Sequence, residues 1–211
     1  MQNNWESIVG TLRERAQQMH DARESGLVHC RTLTQLSAKC IRHIHRHQFV
    51  EARELLVRAK ETAANARTAL APYPELYHAG YLHDAEKEMV EASAVLAIVD
   101  GKPYPSADEL GTGIMSYLNG MGEAASEVRR YCLDEMRRGK LSQAEVILLQ
   151  METIYDDLIT FDFSDAMTGG LRRTCDALRA VIERTRSDLT ATASQQALVA
   201  ELQATRSLLE R

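Results

Sequence analysis

Proline and glycine are scarce in this 211-residue chain, at 4 and 11 residues, and aromatics make up only 5%. A sheet-rich fold needs frequent turns and many β-favouring aromatic side chains, so both shortages count against one. No alternating apolar pattern of useful length is present. No apolar run approaches the roughly 20 residues that a membrane span requires. The four cysteines, Cys30, Cys40, Cys132 and Cys175, form no CxxC pair. They read as reduced, mostly buried thiols of a cytosolic protein. There is no GxGxxG, no Walker loop and no GxSxG, which leaves nucleotide-cofactor and serine-hydrolase chemistry without support. The net charge of -5 provides no overall attraction to polyanions, so a nucleic-acid partner would need a local basic surface. The N-terminal MQNNWESIV has no basic-then-apolar leader pattern, and a cytoplasmic location without membrane contact is expected.

Apolar residues make up 45% and charged residues 26%, with many Ala, Leu, Glu, Arg and Gln, all good helix formers. The expected fold is all-α: one domain over residues 1–211, a bundle of about seven helices. Helical spacing of apolar residues marks segments 5–24, 27–48, 50–70 and 81–99. APYPELYHAG and DGKPYPSADEL break the pattern, and Ser106 or Asp108 is placed to cap the next helix. Residues 108–138 read as helical with weak points at Gly111, Gly113, Gly120 and Gly122, ending near Gly139. Segment 141–160 carries Ser142 and Glu145 at capping-box spacing. FDFSDAMTGG reads as a loop, and 170–187 and 192–210 as the closing helices. No clear internal repeat is read.

The stretch EKEMVEASAVLAIV, 86–99, runs into an apolar half, yet Glu88 and Glu91 stand three residues apart on one helix face. In GMGEAASEVRRYCLDEM, 120–136, Glu123 and Glu127 stand at i and i+4, again on one face. If the two helices pack, four carboxylates can meet. Such a group cannot stay ionised together without a counter-charge. A hard divalent cation supplies it, and oxygen-only ligands suit Mg²⁺ or Mn²⁺. A metal held this way supports phosphodiester hydrolysis, the chemistry of a metal-dependent nuclease. Glutamates at these spacings are also common on solvated helix faces.

Several segments carry a family likeness. They are AKCIRHIHRHQFVEARELLVRAK, GYLHDAEKEMVEA, GMGEAASEVRRYCLDEMRRG, METIYDDLITFDF and LRRTCDALRAVIERTRSDL. In their order and spacing they resemble the translin and translin-associated factor X (TRAX) family over roughly residues 30–190. The resemblance implies an all-α subunit of hollow homo-oligomers, often octamers, that take up RNA or single-stranded DNA. TRAX-type subunits of that family are Mg²⁺-dependent endoribonucleases, whereas translin-type subunits mainly bind. Glu88 and Glu91 match the first acidic pair of the TRAX-type pattern, and Glu123 and Glu127 the second, so all four are expected as metal-holding and catalytic residues. The chain departs from the pattern in having Glu123 for the usual Asp, Met89 for an aromatic and Ser126 for a glycine. The resemblance thus implies cleavage of single-stranded or short RNA; its alternative is the same oligomer binding RNA or single-stranded DNA without cutting.

An endoribonuclease also needs cations for phosphates. Arg129 and Arg130 are the candidates, with subunit salt bridges as their other reading. The turn MRRGK reads as a complement to a helix C-terminus. His43 and His47 stand at i and i+4 but lack a third zinc ligand at useful spacing. The Glu75–His78 pair fits Glu-x-x-His, but a di-iron bundle needs two such motifs on core helices. Asp156 and Asp157 read as helix-face acids, with an auxiliary role as the sharper option.

Overall fold

The structure is a computed structural model that describes residues 4–210; Met1–Asn3, part of the stretch read for a leader, lie outside it. The described residues form nine helices and no strand. Six are long: α1 (Trp5–His45), α2 (Phe49–Leu70), α4 (Tyr81–Asp100), α6 (Ile114–Arg137), α7 (Leu141–Leu158) and α9 (Leu171–Leu209). Three are single turns: α3 (Pro74–Tyr77), α5 (Ala107–Leu110) and α8 (Asp165–Thr168). No helix among the described residues is long and apolar enough to cross a membrane.

The chain divides into two units, Met1–Ser93 with Pro105–Tyr117, and Ala94–Tyr104 with Leu118–Arg211. In the first, α1 buries Cys30, Leu33, Leu36, Cys40, Ile41 and Ile44 along one stripe. The facing stripe of α2 is almost all alanine, Ala52, Ala59, Ala63 and Ala66, closed by Leu70. Small side chains let two helices approach closely over many turns. Gly26 takes this furthest: a Cβ there would lie 2.6 Å from Leu70 Cδ2. In the second unit, α7 buries Ala144, Ile147, Leu148, Met151, Ile154 and Leu158, and α9 buries Leu171, Cys175, Leu178, Ile182 and Leu189.

The structure corrects several sequence-based boundaries. Segments 5–24 and 27–48 are one 41-residue helix, and 170–187 and 192–210 one of 39 residues. Across the second expected break, Thr190 and Thr192 donate back to the carbonyls of Arg186 and Asp188, both at 2.8 Å. Their hydroxyls are satisfied without leaving the helix. The expected helix over 108–138 is interrupted: α5 ends at Gly111, whose φ of 66° is left-handed, and α6 starts only at Ile114. Ser106 is the cap of α5, in a capping box with Glu109, and hydrogen bonding from the Ser106 backbone N–H, then from its side chain, holds the Glu109 carboxyl below its usual range. Ser142 and Glu145 form no such box. Lys140 holds the N-cap position of α7 without a side-chain bond, and Ser142 lies inside the first turn. FDFSDAMTGG contains the single turn α8.

An internal repeat invisible in the letters emerges in the two corners, α1–α2 and α6–α7. His47 (φ 58°) and Gly139 (φ 76°) occupy the same left-handed place. Gln48 N–H donates to His43 O and Lys140 N–H to Glu135 O, each at 2.9 Å. The Cys40 thiol donates to Ala52 O at 3.3 Å, and the Cys132 thiol to Ala144 O at 3.4 Å. Burial pushes these thiols up to about 12 and about 11, so both stay protonated donors at neutral pH. At this offset, 38–59 and 130–151 share only Cys40/Cys132, Arg46/Arg138, Ala52/Ala144 and Leu56/Leu148. Backbone geometry and one thiol bridge persist where the side chains do not.

Candidate metal centre

Helix α4 presents two kinds of side chain. Met89, Val90, Ala92 and Ala94 to Ile98 are buried, whereas Lys87, Glu88 and Glu91 are half-buried. One turn separates Glu88 from Glu91, and a carboxylate oxygen of each lies within 4.8 Å of one from the other. That spacing follows from the i, i+3 relation on a helix. The pair expected from the sequence is therefore formed, and it stands at the edge of an apolar face.

Helix α6 carries the second pair. Glu123 and Glu127 are half-buried on a helix whose Met121, Ala124, Ala125 and Val128 are buried. Glu123 offers a carboxylate oxygen of the kind that ligates a divalent metal. Ser126, which stands where the family block has glycine, turns its hydroxyl back to the Gly122 carbonyl at 3.2 Å. Gly122 permits a close approach: a Cβ there would meet Thr174 Cγ2 of α9 at 2.6 Å and Leu158 Cδ1 of α7 at 3.2 Å.

The arginines divide. Arg129 Nη1 donates to the buried Thr185 Oγ1 at 2.8 Å, and Nη2 to Asp188 Oδ2 at 2.7 Å. It ties α6 to α9, and Asp188 balances its charge. Arg130, one residue on, is exposed. The MRRGK turn behaves as a helix-end complement: Arg138 and Lys140 pair with the buried Glu135 at 2.8 and 3.2 Å, and Arg137 with Asp134 at 3.2 Å.

Sequence reading passed over Glu86, which is only 2% exposed. Its Oε1 accepts from Arg67 Nη1 at 2.7 Å, and His83 Nδ1 lies 3.9 Å from Oε2. Burial raises its pKa above the usual carboxylate value, against the lowering pull of Arg67 and His83. The only signal for it in the letters is its position two residues before Glu88, on a different face of the helix. Neither Glu75 nor His78 belongs to a three-residue metal group among the described residues, and His78 stacks on His83 with ring centroids 5.9 Å apart. Neither His43 nor His47 belongs to a three-residue metal group among the described residues. Asp156 and Asp157 are exposed on α7.

No family model matches the chain. An uncharacterized protein of Methanocaldococcus jannaschii is 30% identical over 168 residues, covering 79% of this chain and 74% of that protein. The crystal structure of AfC3PO is 33% identical with a TM-score of 0.85, covering 90% of this chain and 99% of that one. AfC3PO in complex with duplex RNA is 34% identical with a TM-score of 0.84, covering 90% and 98%. The fold is also that of apo-NeC3PO, at 23% identity and a TM-score of 0.79 over 87% and 96%. With its helical fold, its acidic pairs and these relatives, the chain belongs to the translin/TRAX family.

Proposed function

We propose that the chain is a divalent-metal-dependent endoribonuclease of cytoplasmic location that works as a homo-oligomer, an octamer being the assembly to test first. Glu88, Glu91, Glu123 and Glu127 are its metal-holding and catalytic acids. One observation carries the reading: Glu88 and Glu91, each half-buried on one face of α4, bring carboxylate oxygens within 4.8 Å of one another. An all-carboxylate donor set suits Mg²⁺ or Mn²⁺ rather than zinc or copper. Carboxylates drawn partly out of water also repel one another unless a cation joins them. The likeness to AfC3PO, solved with duplex RNA, supports RNA as the ligand.

Bound there, the ion would supply charge stabilisation for the phosphodiester and a more acidic water. The chain's own task is to place the donors: the four glutamates would supply the carboxylate oxygens that hold the ion, and water attacking phosphorus would expel the 3′-oxygen. The products are 5′-phosphate and 3′-hydroxyl ends. Arg130 offers an exposed guanidinium for a phosphate. Arg129 offers its remaining N–H donors from a fixed position, with a charge already balanced by Asp188.

A second reading, RNA or single-stranded DNA binding without cleavage, is favoured by one detail: Glu123 stands where the catalytic pattern of the family usually has Asp. The two separate in one experiment. Labelled single-stranded and duplex RNA are incubated with the wild type and with a Glu123→Ala, Glu127→Ala variant, in Mg²⁺, Mn²⁺ and EDTA. Metal-dependent cutting lost in the variant is expected. Tight binding without cutting in either metal would establish the second reading. A readout independent of activity is the thermal shift with Mn²⁺, present in the wild type and absent in Glu88→Gln, Glu91→Gln.

A further inference from the structure

The first unit contains a groove of about 530 Å³ that shares Glu88 with the proposed metal site, formed by facing stripes of α1 and α4. From α1 it is lined by Arg31, Thr34 and Gln35, at i, i+3 and i+4; from α4 by Tyr81, Asp84 and Glu88, at i, i+3 and i+7. Arg31, Thr34, Gln35 and Asp84 are exposed. Tyr81 is half-buried, and its hydroxyl is buried without a hydrogen-bond partner. The part of Tyr81 left open is therefore the ring and not the polar tip. Burial also raises the phenol's pKa, so it remains neutral.

We propose that this groove is a nucleoside subsite that takes one of the two nucleotides flanking the phosphate held at Glu88 and Glu91. The inference rests on the proposed function, since Glu88 is common to both. Each wall matches one part of a nucleotide. The Tyr81 ring is a stacking face for a base, which any base can use. The Gln35 amide offers a donor and an acceptor to a base edge. Asp84 accepts from ribose hydroxyls, the feature by which a protein separates RNA from DNA. Arg31 meets the next phosphate. The volume lies within the range of small-molecule sites.

The test is the affinity of a fluorescent pentaribonucleotide in Ca²⁺ for the intact protein, by anisotropy. Tyr81→Leu is expected to weaken binding roughly 5- to 150-fold, the loss of one base–aromatic stack. Tyr81→Phe should bind as the wild type, because the lost hydroxyl has no partner. Gln35→Ala, at an exposed position, guards against a folding defect in Tyr81→Leu. An abasic nucleotide at one position should weaken binding to the wild type and leave Tyr81→Leu unchanged. Equal binding by Tyr81→Leu, Gln35→Ala and the wild type, with RNA binding intact, overturns the subsite and spares the nuclease. No binding of any RNA by the wild type overturns both. Equal affinity for the deoxy pentamer in the wild type overturns the role of Asp84.

Discussion

Replacing Gly122 by alanine should destabilise the protein, although alanine is the better helix former by about 1 kcal/mol. The added methyl would lie 2.6 Å from Thr174 Cγ2 and 3.2 Å from Leu158 Cδ1. Leucine can rotate away. Thr174 cannot do so freely, because it is β-branched and its hydroxyl donates to Asn119 Oδ1 at 2.7 Å. Asn119, only 4% exposed, in turn donates from Nδ2 to the Thr168 carbonyl at 2.6 Å. Displacing Thr174 therefore breaks a buried network. Overpacking costs about 1–3 kcal/mol, and a lost buried hydrogen bond about 1 kcal/mol more. Net of the helix gain, Gly122→Ala should lose about 1–3 kcal/mol. For a chain of this size that lowers Tm by roughly 2–12 °C. Thr174→Ser removes Cγ2 and keeps the hydroxyl, so it should relieve the clash. In thermal melts of the four proteins of that cycle, the double variant should be more stable than the sum of its singles by at least about 1 kcal/mol. Strict additivity, or a Gly122→Ala protein as stable as the wild type, would refute the packing argument.

Two further outcomes follow from the ion pairs. Arg130→Ala should leave Tm unchanged, weaken RNA binding and reduce the slope of log K against log salt by about 0.7–0.9. Arg129→Ala should instead lower stability by about 1–2 kcal/mol, because Thr185 and Asp188 lose their donor; identical behaviour of the two variants would contradict this division of roles. Glu86 has a raised pKa in the folded state, chiefly from burial. The folded protein therefore keeps a proton that the unfolded chain releases near its ordinary value of 4.5. Stability should rise as pH falls through the raised pKa, be fully gained below 4.5, and be lost again as pH climbs. Urea midpoints measured across this window should show that rise in the wild type and not in Glu86→Gln; parallel curves would remove Glu86 as the cause.

The sequence by itself determined the helical class, the positions of most long helices and the Glu88–Glu91 pairing, because each depends on spacing within one helix. Glu88 and Glu91 are neighbours wherever α4 goes, and the Ser106–Glu109 box forms within four residues. Tertiary structure decided what depends on partners far along the chain. Residues 25–26 and 188–191 read as breaks, yet α1 and α9 run through them. At Gly26 the missing side chain serves the approach of Leu70, 44 positions later, and that use cannot be told locally from a helix end. Arg129 and Arg130 look alike in the letters; only the placement of Thr185 and Asp188, more than 50 residues on, distinguishes an anchored guanidinium from an exposed one. The burial of Glu86 depends likewise on Arg67 arriving from α2. The repeated corners hide for a related reason: a left-handed residue and a thiol-to-carbonyl bond can be kept by very different side chains. Periodicity reports which face of a helix turns inward, and packing alone settles what meets that face.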